Sequence, residues 1–191
     1  MFPLLAYSQT FTEVSSEAGI NHAFKIDLAT FGGGACVLDF DNDGFEDLYV
    51  TGGANPDVLY RNNGDGTFTN FFGSAGFERT NEMYTQGATA ADINRDGFKD
   101  IIVTSMNFLN ENREIAPNLL YLNNGDGTFT DKIHEYARHT SFSSMGVDAA
   151  DINNDGLLDI GVVDMVAEDN YRQKANMSGM NPQAFWKVVN E

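Results

Sequence analysis

The stretch VLDFDNDGFEDLYVT, Val37 to Thr51, puts five acidic side chains into the nine residues from Asp39 to Asp47, around a single glycine. Two further segments align with it without gaps, AADINRDGFKDIIVT from Ala90 and AADINNDGLLDIGVV from Ala149. All three share the core Asp-x-[Asp/Asn]-x-Asp-Gly-x-x-Asp, with the first Asp at 39, 92 and 151. A second element alternates with the first: LYRNNGDGTFTNFFGSAGF from Leu59 and LYLNNGDGTFTDKIHEYA from Leu120, with FTEVSSEAGI from Phe11 matching its end. Two unlike elements in strict alternation mark a repeat architecture with a unit of about 50 to 60 residues.

Each acidic element reads as two strands joined by a loop: an apolar run from Gly34 to Leu38, the loop itself, then DLYVT with alternating faces. In the second element VLYRN and GTFTNF flank NGDG, and Asn-Gly and Asp-Gly accept the positive φ that tight hairpins require. One element of each kind makes four antiparallel strands, the size of a propeller blade. Fifteen Phe, seven Tyr and nineteen Gly suit such a β-rich chain. The expected fold class is all-β: a partial β-propeller of about three four-stranded antiparallel blades with a short C-terminal helical insertion. Residues 10–166 hold the repeats. Residues 1–9 read as the remnant of a secretory signal peptide, because the apolar opening ends in the small-x-small pattern Ala6-Tyr7-Ser8. Residues 167–191 read as a loop and helix inserted into a truncated third blade. There Asn181-Pro182 forms the cap and first turn, Phe185, Val188 and Val189 share one side, and Trp186 is the residue to suspect of ligand stacking.

The formal net charge of −17 repels a polyanion, so nucleic-acid binding is disfavoured. Clustered acids also repel one another unless cations neutralise them, which points to bound metal. Cys36 is the only cysteine, so no intrachain disulfide forms, and within GGGACVLDF it reads as a small buried strand residue. No run approaches the ~20 apolar residues of a membrane-spanning helix.

The spacing of the acids suits Ca²⁺, a hard cation that takes ~6 to 8 oxygen ligands. Side-chain oxygens at positions 1, 3, 5 and 9, a glycine at 6 for the sharp turn and a backbone carbonyl at 7 wrap one ion per loop. The candidate ligands are Asp39, Asp41, Asp43, Asp47 and the Phe45 carbonyl; Asp92, Asn94, Asp96, Asp100 and the Phe98 carbonyl; and Asp151, Asn153, Asp155, Asp159 and the Leu157 carbonyl. An EF-hand requires a bidentate Glu at position 12 and flanking helices, whereas Val50, Val103 and Val162 stand there. Mg²⁺ suits the loops less, since it keeps its waters.

With both elements in place, DxDxDGxxD and NNGDGTF, the chain resembles the FG-GAP/VCBS repeat family, which includes integrin α-subunit propellers and the secreted ASPIC/UnbV-type proteins. The resemblance covers nearly all of Phe11 to Val166. It implies a β-propeller with Ca²⁺ in loops between the first two strands of a blade, carried on a secreted or cell-surface protein. Such proteins mostly bind or scaffold, so the expected partner is a protein or carbohydrate ligand at the cell surface; the alternative is the scaffold part of a polysaccharide-degrading lyase or hydrolase. Too few blades are present for closure, which generally takes ~4, so edge strands should be left open. No catalytic residues are expected. His22, His134 and His139 show no metal-ligand spacing, Ser143 and Ser144 lack a nucleophile elbow, and GDGTF sits in a hairpin, not in a phosphate loop. Asp148 and Glu82 are leftover carboxylates outside the ligand frame.

Overall fold

The computed structural model describes residues 10–25, 32–106, 118–141 and 144–164. The expected signal remnant at 1–9 and the expected insertion at 167–191, Trp186 included, lie outside these.

The described residues form antiparallel sheets with a few short helical turns. Strands β1 (Ala35–Leu38), β2 (Asp47–Val50), β3 (Val58–Asn62) and β4 (Phe68–Asn70) pair in chain order as the first sheet. The second repeats it with β5 (Tyr84–Ala91), β6 (Asp100–Met106), β7 (Leu119–Asn123) and β8 (Phe129–Asp131). In the third, the blade expected to be truncated, β9 (Ser144–Ala150) pairs with β10 (Asp159–Asp164), and these are its two described strands. The register is the same in each leading hairpin: Leu38 faces Asp47, Ala91 faces Asp100 and Ala150 faces Asp159, so the last Asp of each acidic loop opens the second strand.

The helical turns were not legible in the sequence. Helix α1 (Phe72–Ala75) starts where Asn70 Oδ1 accepts the Phe72 N–H at 3.1 Å, and α2 (Ile133–Tyr136) where Asp131 Oδ1 accepts the Ile133 N–H at 3.1 Å. These are Asx turns, in which a short side chain replaces a backbone carbonyl. The segment Val14 to Ile20 makes the corresponding turn ahead of the first sheet, where the Ala18 N–H donates to Val14 O at 2.8 Å. The turn at Val14 to Ile20 and helix α1 each support the fourth strand of the sheet that follows: the Phe68 N–H donates to Ala18 O at 2.8 Å, and Gly76 lies against the Phe129 carbonyl.

The core lies between the first and second sheets. Tyr49, Leu59, Ile101, Val103, Leu119 and Tyr121 are buried there around Phe77. The Phe77 ring meets Tyr49 at 5.2 Å, Phe72 at 5.6 Å, and Tyr121 and Phe129 at 4.8 Å. On the far face of the second sheet, Ile102, Leu120 and Ile133 take up Val147 and Ala149 of β9. Strand β6 is therefore buried on both faces. On β10, by contrast, Ile160, Val162 and Val163 are exposed.

The leading strands β1, β5 and β9 converge on glycines. Gly34, Gly87 and Gly146 each stand five residues before the first Asp of their loop. A Cβ on Gly34 would lie 2.7 Å from Gly87 Cα, and one on Gly87 2.7 Å from the Met145 carbonyl oxygen. Only glycine permits so close a backbone approach. Thr51 and Thr104 fasten the first two of these points, accepting the N–H of Gly34 at 2.7 Å and of Gly87 at 2.8 Å on their hydroxyls. Val163 holds the corresponding place in the third hairpin. Among the described residues no helix is long and apolar enough to cross a membrane.

Candidate metal centre

The three acidic loops fold on one plan. The position 1 carboxylate turns back into the loop and accepts two backbone N–H groups. Asp39 takes those of Asp43 at 3.0 Å and Gly44 at 2.9 Å; Asp92 takes those of Asp96 at 3.1 Å and Gly97 at 3.0 Å; Asp151 takes those of Asp155 at 3.0 Å and Gly156 at 2.8 Å. The position 5 carboxylate accepts the position 7 N–H, Asp43 from Phe45, Asp96 from Phe98 and Asp155 from Leu157. This curl requires positive φ at positions 4 and 6. Gly44, Gly97 and Gly156 supply it at 89°, 92° and 81°, and Asn42, Arg95 and Asn154 at 56°, 63° and 61°. Asn tolerates that region; Arg does so at a cost.

The position 9 carboxylates fasten the loop to its sheet. Asp47 accepts the Phe40 N–H at 3.1 Å and the Asn62 N–H at 2.7 Å, and Asp100 accepts those of Ile93 at 2.8 Å and Asn123 at 2.9 Å. Asp159 accepts the Ile152 N–H at 3.1 Å. Burial pushes the Asp47 carboxyl up to about 6 against the pull of its two N–H donors, and Asp41 and Asp43 push it the same way. Asp100 is likewise raised, chiefly by burial. A nearby divalent cation reverses that balance, because it favours the charged form.

Loop one has the densest charge. Asp39, Asp41 and Asp43 each place a carboxylate oxygen within 4.8 Å of the other two. Oxygens bound to one Ca²⁺ lie up to about 5 Å apart, twice the metal–oxygen distance, so this spacing suits a shared ion. Asp41 Oδ1 is buried and has no hydrogen-bond partner. A buried oxygen of that kind is costly unless something satisfies it, and an all-oxygen set rich in carboxylates is what Ca²⁺ takes. The residues present therefore fit the ion.

Several contributors were missed in the sequence. Arg61 on β3 donates from Nε to Asp41 Oδ2 at 2.6 Å and from a terminal nitrogen to Asp43 Oδ2 at 3.0 Å. Its only signal was a basic residue in LYRNN where the sister element has Leu122. The position 7 rings seat on the turn of the second element: a Cβ on Gly64 would lie 2.7 Å from Phe45, and one on Gly125 2.9 Å from Phe98. Adjacent loops also touch, since the Asn42 side-chain amide donates to Gly97 O at 3.3 Å. Of the residues set aside as non-catalytic, His22 lies 2.9 Å from the Thr51 carbonyl, and His134 and His139 are exposed. Cys36 is buried, and burial pushes its thiol up to about 12, so it is inert.

The model of the FG-GAP-like repeat matches residues 39–103 and 108–162, which takes in all three loops. Among relatives, cartilage acidic protein 1 of Xenopus tropicalis is 29% identical over 153 residues, 78% of this chain and 21% of that protein. The Mus musculus protein of the same name is 30% identical over 151 residues, again 78% and 21%, and the Homo sapiens protein is 31% identical over 110 residues, 58% and 14%. The chain thus spans about a fifth or less of the length of these relatives. With two matched stretches that carry the repeated loops and most of the described strands, the chain belongs to the FG-GAP-like repeat family.

Proposed function

We propose that this chain is a calcium-binding segment of a β-propeller in a secreted or cell-surface protein, serving as a binding or adhesion scaffold and not as an enzyme. The sheets are its successive blades, and the loops between their first two strands hold the ions. The observation that carries the reading is the loop frame common to all three repeats, with the clustered carboxylates of loop one and the buried Asp41 Oδ1 that lacks a partner.

In each loop the side chains at positions 1, 3, 5 and 9 and the carbonyl at 7 form the ligand set: Asp39, Asp41, Asp43, Phe45 and Asp47; Asp92, Asn94, Asp96, Phe98 and Asp100; Asp151, Asn153, Asp155, Leu157 and Asp159. When bound, Ca²⁺ supplies positive charge and ties the loop to the start of the second strand. The relatives' name, cartilage acidic protein, fits an extracellular setting, where calcium modules work at ~10⁻⁴ to 10⁻³ M. The partner class that suits such a scaffold is a protein or carbohydrate ligand at the cell surface.

Calorimetric titration with Ca²⁺, beside thermal melts in Ca²⁺, Mg²⁺ and chelator, tests the reading. The expected result is one ion per loop, with a melting temperature that rises in Ca²⁺ far more than in Mg²⁺. No heat of binding and no shift would show that the loops are bare Asx turns.

A further inference from the structure

Loop one differs from its two sisters by a matched pair of residues. At position 3 it has Asp41, where they have Asn94 and Asn153; on its third strand it has Arg61, where the second sheet has Leu122. In loops two and three the position 3 amide donates to the outer oxygen of the position 5 carboxylate, Asn94 to Asp96 Oδ2 at 2.7 Å and Asn153 to Asp155 Oδ2 at 3.0 Å. In loop one Arg61 makes that bond instead, to Asp43 Oδ2 at 3.0 Å, and its Nε takes Asp41 Oδ2 at 2.6 Å. The guanidinium thus grips the outer oxygens of two carboxylates and leaves Asp41 Oδ1 buried in the cluster without a partner. The formal charges also match. Asp41 makes the loop one donor set a unit more negative than the other two sets, and Arg61 removes that unit.

We infer that Arg61 is a built-in counter-cation of loop one: it holds the loop together when no metal is bound and lowers its affinity for a divalent ion toward that of its sister loops. This rests on the reading of the loops as ion sites. Two effects of Arg61 oppose each other there. It orders Asp41 and Asp43, which favours the ion, and it brings a positive charge close to a doubly positive one, which disfavours it. Asp43 and Asp39 are already ordered by the backbone, since Asp43 Oδ1 accepts the Phe45 N–H and Asp39 closes the curl, so Arg61 adds order to Asp41 alone. What Arg61 adds by ordering is thus limited to one short side chain, and repulsion decides the sign. A unit charge one carboxylate away from a divalent ion changes affinity by about tenfold in a near-aqueous dielectric, less at high salt.

The test uses the whole 191-residue chain, titrated with Ca²⁺ and followed by the amide resonances of Gly44, Gly97 and Gly156, which report the three loops separately. Arg61→Leu should lower the Gly44 midpoint about tenfold and leave Gly97 and Gly156 in place. Arg61→Lys, which keeps the charge, should stay near the parent. Asp41→Asn alone should raise the Gly44 midpoint by a similar factor, and Asp41→Asn with Arg61→Leu should bring it back. In chelator Arg61→Leu should melt below the parent, and its gain on adding Ca²⁺ should be larger. A Gly44 midpoint that stays put or rises in Arg61→Leu would overturn the inference, for then Arg61 acts by ordering the ligands. Should Arg61→Leu fold poorly, the Asp41→Asn pair decides: a midpoint that Asp41→Asn leaves unchanged overturns it equally. If no glycine resonance of the parent responds to Ca²⁺, the ion-site reading falls first and the inference with it.

Discussion

Asp57 sits just before β3, fully buried, and accepts three donors: the Gly52 N–H at 2.7 Å, the Tyr49 hydroxyl at 2.6 Å and the Thr85 hydroxyl of the next sheet. Burial raises its carboxyl from 3.8 to about 6, with the three donors pulling the other way. The folded state therefore holds this proton more tightly than the unfolded chain does. Its contribution to stability is complete below pH 3.8 and is lost as the pH rises through about 6. Two pH units at 1.36 kcal/mol each make about 3 kcal/mol. The perturbation that isolates it is Asp57→Asn, which copies the second sheet, where Asn118 accepts the Ser105 N–H at 3.2 Å. Urea denaturation of both proteins between pH 4 and 7.5 at fixed free calcium gives the difference in stability, from which the many other carboxylates cancel. Over that window, which opens just above 3.8, the difference should move by about 2.4 kcal/mol in favour of the variant as the pH rises. A difference independent of pH would refute the reasoning. One that moves the other way would show that the three donors outweigh burial and keep Asp57 charged.

Other perturbations follow from close approach, backbone strain and packing. Gly87→Ala puts a methyl 2.7 Å from Met145 O and 2.9 Å from Thr104 Oγ1, so it should cost about 1 to 3 kcal/mol, whereas Gly146→Ala meets open space and should be neutral or stabilising by up to about 1 kcal/mol. Paired denaturation curves check this; equal effects would mean that the convergence of the leading strands at glycine does not matter. Arg95 holds a φ of 63° where its sister loops have Asn, so Arg95→Asn should raise stability by about 0.5 to 1 kcal/mol, seen as a higher melting temperature. Phe77→Ala removes the ring on which Tyr49, Phe72, Tyr121 and Phe129 converge and should cost about 3 to 5 kcal/mol by chemical denaturation. A loss below 1 kcal/mol would show that the first two sheets are held together elsewhere.

The signals that the sequence carried were local ones. Alternating faces in DLYVT, turn residues in NNGDG and the spacing of Asp39, Asp41, Asp43 and Asp47 all lie within one hairpin, so the leading strands and the loop frame were legible. What joins one hairpin to another was not. Asn123 donates to the Phe40 carbonyl at 2.8 Å across 83 residues, and Arg61 reaches back to Asp41 across 20. Neither pairing leaves a trace in periodicity. The helical turns α1 and α2 escaped for a different reason, as four residues are too few to show a 3.6-residue period and their starts depend on one Asx side chain each. Asp57 lay outside both repeated cores, and its importance comes from burial, which composition does not reveal.

The strict alternation of the two elements has a physical reason in the seating of position 7. Phe45 needs Gly64 beneath its ring and Phe98 needs Gly125, so an acidic loop gains its support from the turn of the element that follows it in the same sheet. Position 9 works the same way: Asp47 and Asp100 each clasp a third-strand N–H as well as their own loop, through Asn62 and Asn123. Loop three lacks both supports among the described residues. Leu157 replaces the aromatic ring and is 52% exposed, Ile152 is 71% exposed, and Asp159 clasps Ile152 alone. Yet the hydrogen bonds within its curl are as short as those of the other two, with Gly156 N–H to Asp151 at 2.8 Å against 2.9 Å and 3.0 Å. Equal local bonding with unequal support predicts unequal opening, because exchange of a bonded amide follows the free energy of the unit that must open. In native-state hydrogen exchange under chelator the Gly156 amide should exchange first, with Gly44 and Gly97 protected longer. Equal protection of all three would mean that the curl stands on its own carboxylates, and that the second element is not needed to hold it.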